Sequence, residues 1–151
     1  MRPFTQNFPE MKFDFLSKEN MNQNSIIVFV CEHGAAKSIV AAAYFNKLAS
    51  DLGLNLRAIA RGTHPDRELS AIAIAGLHAD GLTQSESLPR KLSLADIESA
   101  QQVVTFCEVP VEYHEKAVIE RWDGVSPVSE NYEQARDAIL ERINKLINTL
   151  S

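Results

Sequence analysis

Ile26-Ile27-Val28-Phe29-Val30-Cys31-Glu32-His33-Gly34-Ala35-Ala36-Lys37-Ser38 is the stretch of this 151-residue chain whose reading decides its fold. The first five residues are all apolar and four are β-branched, the pattern of a short strand buried on both faces. Gly34 breaks that run. Residues 35–52 are then rich in Ala, Leu and Lys, good helix formers, with Ile39, Ala42, Ala43, Leu48 and Leu52 for an apolar face and Gly53 as a stop. A buried strand that runs straight into a helix is the first half of a strand-helix-strand unit.

Outward from that unit the alternation continues. Residues 54–60 read as a second strand, and 70–80 as a helix ending at Gly81. Ser93-x-x-Asp96 reads as the capping box of a short third helix. Residues 101–106 and 117–122 read as two further strands. Tyr132, Ala135, Ile139, Ile143, Leu146 and Leu150 then fall on one helical stripe. This order predicts an α/β fold, three-layer αβα with a four-stranded parallel sheet joined by right-handed crossovers.

Composition narrows the partner. Fifteen Lys and Arg against twenty Asp and Glu give a net charge of −5, which argues against a nucleic-acid or anionic-membrane surface. No apolar run approaches the roughly 20 residues of a membrane span. Arg2 is followed by Pro3, Gln6, Asn7, Pro9 and Glu10 rather than an apolar signal core, so the expected location is cytoplasmic. Two cysteines, Cys31 and Cys107, make no disulfide framework, and neither has zinc-type spacing to another ligand. No metal or cofactor is expected, and the expected partner is a small oxyanion or phosphorylated substrate. Residues 1–24 hold all three Met and four of the seven Phe, which sets them apart as an arm ahead of a domain over 25–151. Phe4, Phe8, Phe13, Phe15 and Leu16 suit packing on the domain or on a second copy, a homodimer through the arm. A plain extension ahead of Met21 is the simpler reading.

The chemistry is expected at residues 31–38, because ligands of such sheets bind beyond the carboxyl ends of the strands. A helix N-terminus presents unpaired amides and the positive end of a dipole, so a loop of Glu32, His33, Gly34, Ala35, Ala36 and Lys37 can cradle a tetrahedral oxyanion. The same field favours thiolate over thiol, which makes Cys31 the candidate nucleophile. Lys37 adds a full positive charge, and the Ser38 hydroxyl can hydrogen-bond the sulfur or the anion. Together they describe covalent catalysis through a cysteinyl intermediate. A lone cysteine ending a buried strand is more often a small core residue, so the weight rests on the combination.

That segment, Cys31-x5-Lys37-Ser38, resembles the Cys-x5-Arg-Ser phosphate-binding loop of the low-molecular-weight protein tyrosine phosphatase family, which includes related arsenate reductases. Arg61-Gly62-Thr63-His64-Pro65-Asp66-Arg67-Glu68-Leu69, with its helix ending at Asp80-Gly81-Leu82, is similar to the family's second strand-helix unit. Ser87-x-Pro89-Arg90-Lys91-Leu92, Val103-Val104-Thr105-Phe106-Cys107 and Glu120-Arg121-Trp122-Asp123 also look like family segments. The resemblance spans about residues 25–150 and implies Cys31 as nucleophile and Ser38 as the hydroxyl supporting its thiolate.

The departures bear on activity. Lys37 stands where the family has Arg, and an ammonium replaces a planar two-pronged donor with a point charge. Gly34 stands where an Asn commonly braces the loop, Glu32 puts negative charge beside the anion site, and His33 offsets it only when protonated. The family's general acid is an Asp before a Pro, and Ser126 precedes Pro127 here. Asp123, three residues earlier, is the candidate substitute. The expectation is a cysteine-dependent phosphatase-like enzyme, weakly active on a phosphotyrosine-like monoester through a cysteinyl phosphate. One alternative is an arsenate-reductase-like enzyme using an external thiol, with Cys107 where thioredoxin-linked reductases have a second cysteine. The other is an oxyanion-binding regulatory module without efficient turnover. Tyr113, Trp122 and Tyr132 are candidates to hold a substrate ring, although Trp122 and Tyr132 also fit core patterns. His64, His78 and His114 share no ligand spacing.

Overall fold

The computed structural model describes residues 25–150, so the arm, and any dimer through it, lies outside the described residues. Four strands form one parallel sheet: β1 (Ile26–Cys31), β2 (Arg57–Gly62), β3 (Ala100–Thr105) and β4 (Ile119–Arg121), in the order β2-β1-β3-β4. The helices are α1 (Lys37–Asp51), α2 (Ala71–Ala79), α3 (Leu94–Ser99) and α4 (Tyr132–Leu150), with a 3₁₀ turn at Val111–Glu115. This is the expected three-layer α/β fold.

The apolar run of β1 explains the layers. Alternate strand residues point to opposite faces. Ile27 and Phe29 join one core with α1, α2 and α4, through Ile39, Phe45, Leu77, Ile139 and Ile143. Val28 and Val30 join a second core with Val103, Leu92 and Ile97 of α3. Both faces of the central strand are thus covered, which is why its sequence shows no polar alternation.

Element ends differ from the sequence reading for local reasons. Helix α1 starts at Lys37 rather than residue 35, because the Ala35 carbonyl accepts from Ser70 N at 2.9 Å and Ala36 is the N-cap. Strand β2 is shifted from 54–60 to Arg57–Gly62, since Leu54 N closes the end of α1 on the Ala49 carbonyl and Gly62 pairs with Cys31. Ser70 caps α2, its side chain accepting from Ala73 N at 3.1 Å. The box of Ser93 and Asp96 forms in both directions, at 3.2 and 3.0 Å. The 3₁₀ turn within the β3 to β4 crossover was not legible as an element. Among the described residues, no helix is long and apolar enough to cross a membrane.

Candidate active site

Cys31 is the last residue of the central strand, and residues 32–36 carry the chain from it to α1. Thr63 N donates to the Cys31 carbonyl (3.2 Å), His64 N to Glu32 (2.7 Å), Asp66 N to His33 (3.0 Å) and Ser70 N to Ala35 (2.9 Å). Four loop carbonyls are thereby occupied by the segment after β2. Among the described residues, the amides of residues 32–36 donate to no backbone carbonyl. Helix α1 has neither a side-chain cap nor an acidic residue in its first turn, so its leading amides are open as well. A row of N–H groups without backbone partners at the positive end of a 15-residue helix has the geometry and polarity to hold an anion.

Backbone packing fixes the loop's shape. Gly34 has φ +62, and a Cβ there would stand 2.9 Å from Gly62 N. A Cβ on Gly62 would stand 2.7 Å from Gly34 N. Backbone lies on backbone, so both positions require glycine. Gly34 therefore braces the loop against the end of β2 by contact rather than through a side chain. Gly62 thus belongs to the site, and a glycine closing a strand is the sequence signal of such close approach.

Inside the loop, Cys31 Sγ lies 3.1 Å from Ser38 Oγ, and both residues are buried. The pocket before them, about 380 Å³, is lined by Cys31, Glu32, His33, Ala35, Ala36 and Lys37. It continues over Asp66, Glu68 and Ser70, over Phe106 and Cys107, and over Pro127, Val128 and Ser129. The structure thus brings Cys31, Glu32, His33, Ala35, Ala36 and Lys37 to one surface. Ser38 stands behind it on the sulfur, and Gly34 lies beneath.

Asp123 is not brought to this pocket. Arg121 Nε holds its carboxylate at 2.8 Å, Arg142 donates to its carbonyl, and it lines a separate cleft with Trp122, Lys145 and Thr149. The loop that follows does reach the pocket, through Pro127, Val128 and Ser129, and brings no carboxylate with it. Tyr113, Trp122 and Tyr132 do not line the pocket either. Trp122 is buried against Phe29 and Phe106, Tyr113 packs on the second core, and Tyr132 bonds Asp80 at 2.9 Å. Phe106 is the pocket's aromatic wall.

Cys107, half-buried, faces the same pocket, and both thiols are free. Burial pushes its thiol up, as do the neighbouring Cys31 and Glu32, while hydrogen bonds from Thr105 and Thr63 oppose the rise. Thr105 fixes this turn: its hydroxyl accepts from Cys107 N at 3.0 Å and donates to the Cys107 carbonyl. Among the described residues no cluster of three metal-ligating side chains exists.

A family model for the low molecular weight phosphotyrosine protein phosphatases matches residues 26–151. An arsenate reductase from Archaeoglobus fulgidus is similar in structure with a TM-score of 0.66 at 25% identity, over 81% of this chain and 98% of its own. A low molecular weight protein tyrosine phosphatase from T. tengcongensis gives 0.73 at 20% identity, over 83% and 99%. A mutant of YwlE from Bacillus subtilis gives 0.73 at 21%, over 84% and 99%. At those identities the last two speak to the fold.

Proposed function

Because the chain belongs to the low molecular weight phosphotyrosine protein phosphatase family, we propose that it is a cysteine-dependent phosphatase acting on phosphate monoesters through a cysteinyl phosphate. The observation that carries the reading is the Cys31 sulfur held 3.1 Å from the Ser38 hydroxyl, in a loop whose carbonyls are bonded elsewhere. The phosphate seats on the free amides and the Lys37 ammonium. The Cys31 thiolate attacks phosphorus, an S–P bond forms, and the P–O bond to the leaving group breaks. Water then attacks phosphorus, the S–P bond breaks, and inorganic phosphate leaves with the thiolate restored.

Ser126 stands ahead of Pro127, so that position offers the leaving group no carboxyl proton. Aryl esters, whose phenolates leave readily, then react, while alkyl esters lose about 10²–10⁴-fold. Lys37 in place of a two-pronged guanidinium weakens the hold on the equatorial oxygens. Activity is therefore weak. The test is hydrolysis of p-nitrophenyl phosphate by the wild type beside Cys31→Ser, with arsenate as competitor. A rate that is abolished by the substitution and inhibited by arsenate supports the reading. A rate equal to the variant's overturns it.

Cys107 at the mouth of the same pocket favours a second reading, an arsenate reductase-like reaction completed by an external thiol. Thiol-dependent arsenite formation that is lost in Cys107→Ser, with aryl phosphate hydrolysis retained, would select that reading. Saturable phosphate binding with neither reaction would leave an oxyanion-binding module.

A further inference from the structure

Among the described residues, three carboxylates, Glu32, Asp66 and Glu68, line the pocket against a single ammonium, that of Lys37. For a site that takes a dianionic phosphate this is the opposite of what long-range attraction would favour. Two of the three are partly answered: His33 Nδ1 lies 3.1 Å from Asp66 and its Nε2 3.9 Å from Glu32. Glu68 has no ion-pair partner among the described residues. The side chains of Glu32 and Asp66 are themselves more than half exposed, at 62% and 54%. These carboxylates therefore stand at the rim, above the amide cradle, where they meet whatever flanks the phosphate. Among the described residues, Phe106 is the one Phe, Tyr or Trp side chain that lines the pocket.

Resting on the phosphatase reading, we infer that the rim of Glu32, Asp66 and Glu68 makes the pocket select phosphorylated peptides carrying Lys or Arg beside the phosphorylated residue. A basic flank supplies Glu68 with the partner it lacks and cancels the repulsion between the rim and the incoming phosphate. An acidic flank adds to that repulsion. Glu68 is then a specificity-determining residue, while the covalent step stays with Cys31.

The test measures, by calorimetry on the Cys31→Ser protein, the affinity of two phosphotyrosine peptides identical except for flanking Lys and Arg in one and Asp and Glu in the other. The basic peptide is expected to bind about tenfold more tightly at low salt, the sum of a few partly exposed charge pairs, with the gap narrowing as salt rises. Glu68→Lys on the same background is expected to close or invert the gap. Equal affinity for the two peptides, or a gap that Glu68→Lys leaves untouched, overturns the inference. Wild-type p-nitrophenyl phosphate hydrolysis run in parallel separates the two levels. Hydrolysis with equal peptide affinities removes the rim inference alone. No hydrolysis and no peptide binding removes the phosphatase reading and this inference with it.

Discussion

Replacing Gly62 with alanine puts the loop's backbone bracing to a quantitative test. The added Cβ would stand 2.7 Å from Gly34 N, 2.9 Å from Gly34 Cα and 2.9 Å from the His33 carbonyl carbon. All three are backbone atoms of the anion loop, so no side chain can turn aside. Comfortable separation is about 3.5–4.0 Å, so the loop must retreat by roughly 0.8–1.3 Å. Such overpacking costs about 1–3 kcal/mol, which for a domain of this size lowers Tm by roughly 3–12 °C. The kinetic penalty is the larger one, because a misplacement of about 1 Å at a reacting centre costs on the order of 100-fold. Gly62 lies outside the left-handed region, so the loss is steric rather than conformational. Gly53→Ala is the control: φ there is +70 and nothing lies within 4 Å of the added carbon. It should cost about 1–2 kcal/mol of stability and leave turnover intact. The assay pairs thermal unfolding with kcat/KM for p-nitrophenyl phosphate. A Gly62→Ala protein with wild-type kcat/KM, or one whose kinetic loss Gly53→Ala reproduces, would refute the reasoning.

Other perturbations follow from the same geometry. Ser38→Ala removes the hydroxyl 3.1 Å from Cys31 Sγ; if, as the proposed mechanism requires, that hydroxyl donates to the attacking thiolate, the loss is about 1.5–3 kcal/mol and kcat/KM and the rate of iodoacetamide modification of Cys31 should fall about 10- to 150-fold, whereas unchanged rates would show the contact to be idle. Lys37→Arg should tighten inhibition by phosphate or arsenate through paired donors, read as a lower inhibition constant. Ser126→Asp, placing a carboxyl ahead of Pro127, should raise turnover most for esters with poor leaving groups, and an equal effect on all esters would count against a missing acid. Far from the pocket, burial opposes ionisation of Asp80, yet hydrogen bonds from Tyr44, Tyr132 and Arg136 outweigh it and hold its carboxyl below the usual carboxylate range. The folded state then binds that proton less readily than the unfolded chain. Its contribution is present above about pH 4 and is lost as pH falls further, so urea unfolding of Asp80→Asn should show a flatter acid limb than the wild type.

Much of the architecture was legible because one segment carries it. The β-branched run of β1, the small-residue loop and the alanine-rich helix announce a buried parallel strand and its crossover, and every other element takes its place from that pairing. The Ser93 box was legible because capping is a local exchange of two hydrogen bonds. Strand β2 was misplaced by three residues at its start. Leu54 and Leu56 look like strand residues, but they pack at the edge of the core while the chain leaves α1. The site divides in the same way. Cys31, Lys37 and Ser38 are neighbours in sequence, so their meeting could be read from one turn. Glu68, Phe106 and Ser129 come from three separate loops, and no spacing joins them before the sheet is assembled. Asp123 misled for a related reason: its distance along the chain from Pro127 suited the pocket, whereas Arg121 and Arg142 hold it in the separate cleft that Trp122, Lys145 and Thr149 also line.

Covalent catalysis by Cys31 is tested most directly by intact-protein mass spectrometry of the enzyme quenched in acid during turnover of p-nitrophenyl phosphate. The account predicts a species heavier by one phosphoryl group, mapped to the peptide containing Cys31 and absent from Cys31→Ser and from enzyme without substrate. Hydrolysis that proceeds at full rate with no phosphorylated Cys31, or with the group on another residue, would contradict it.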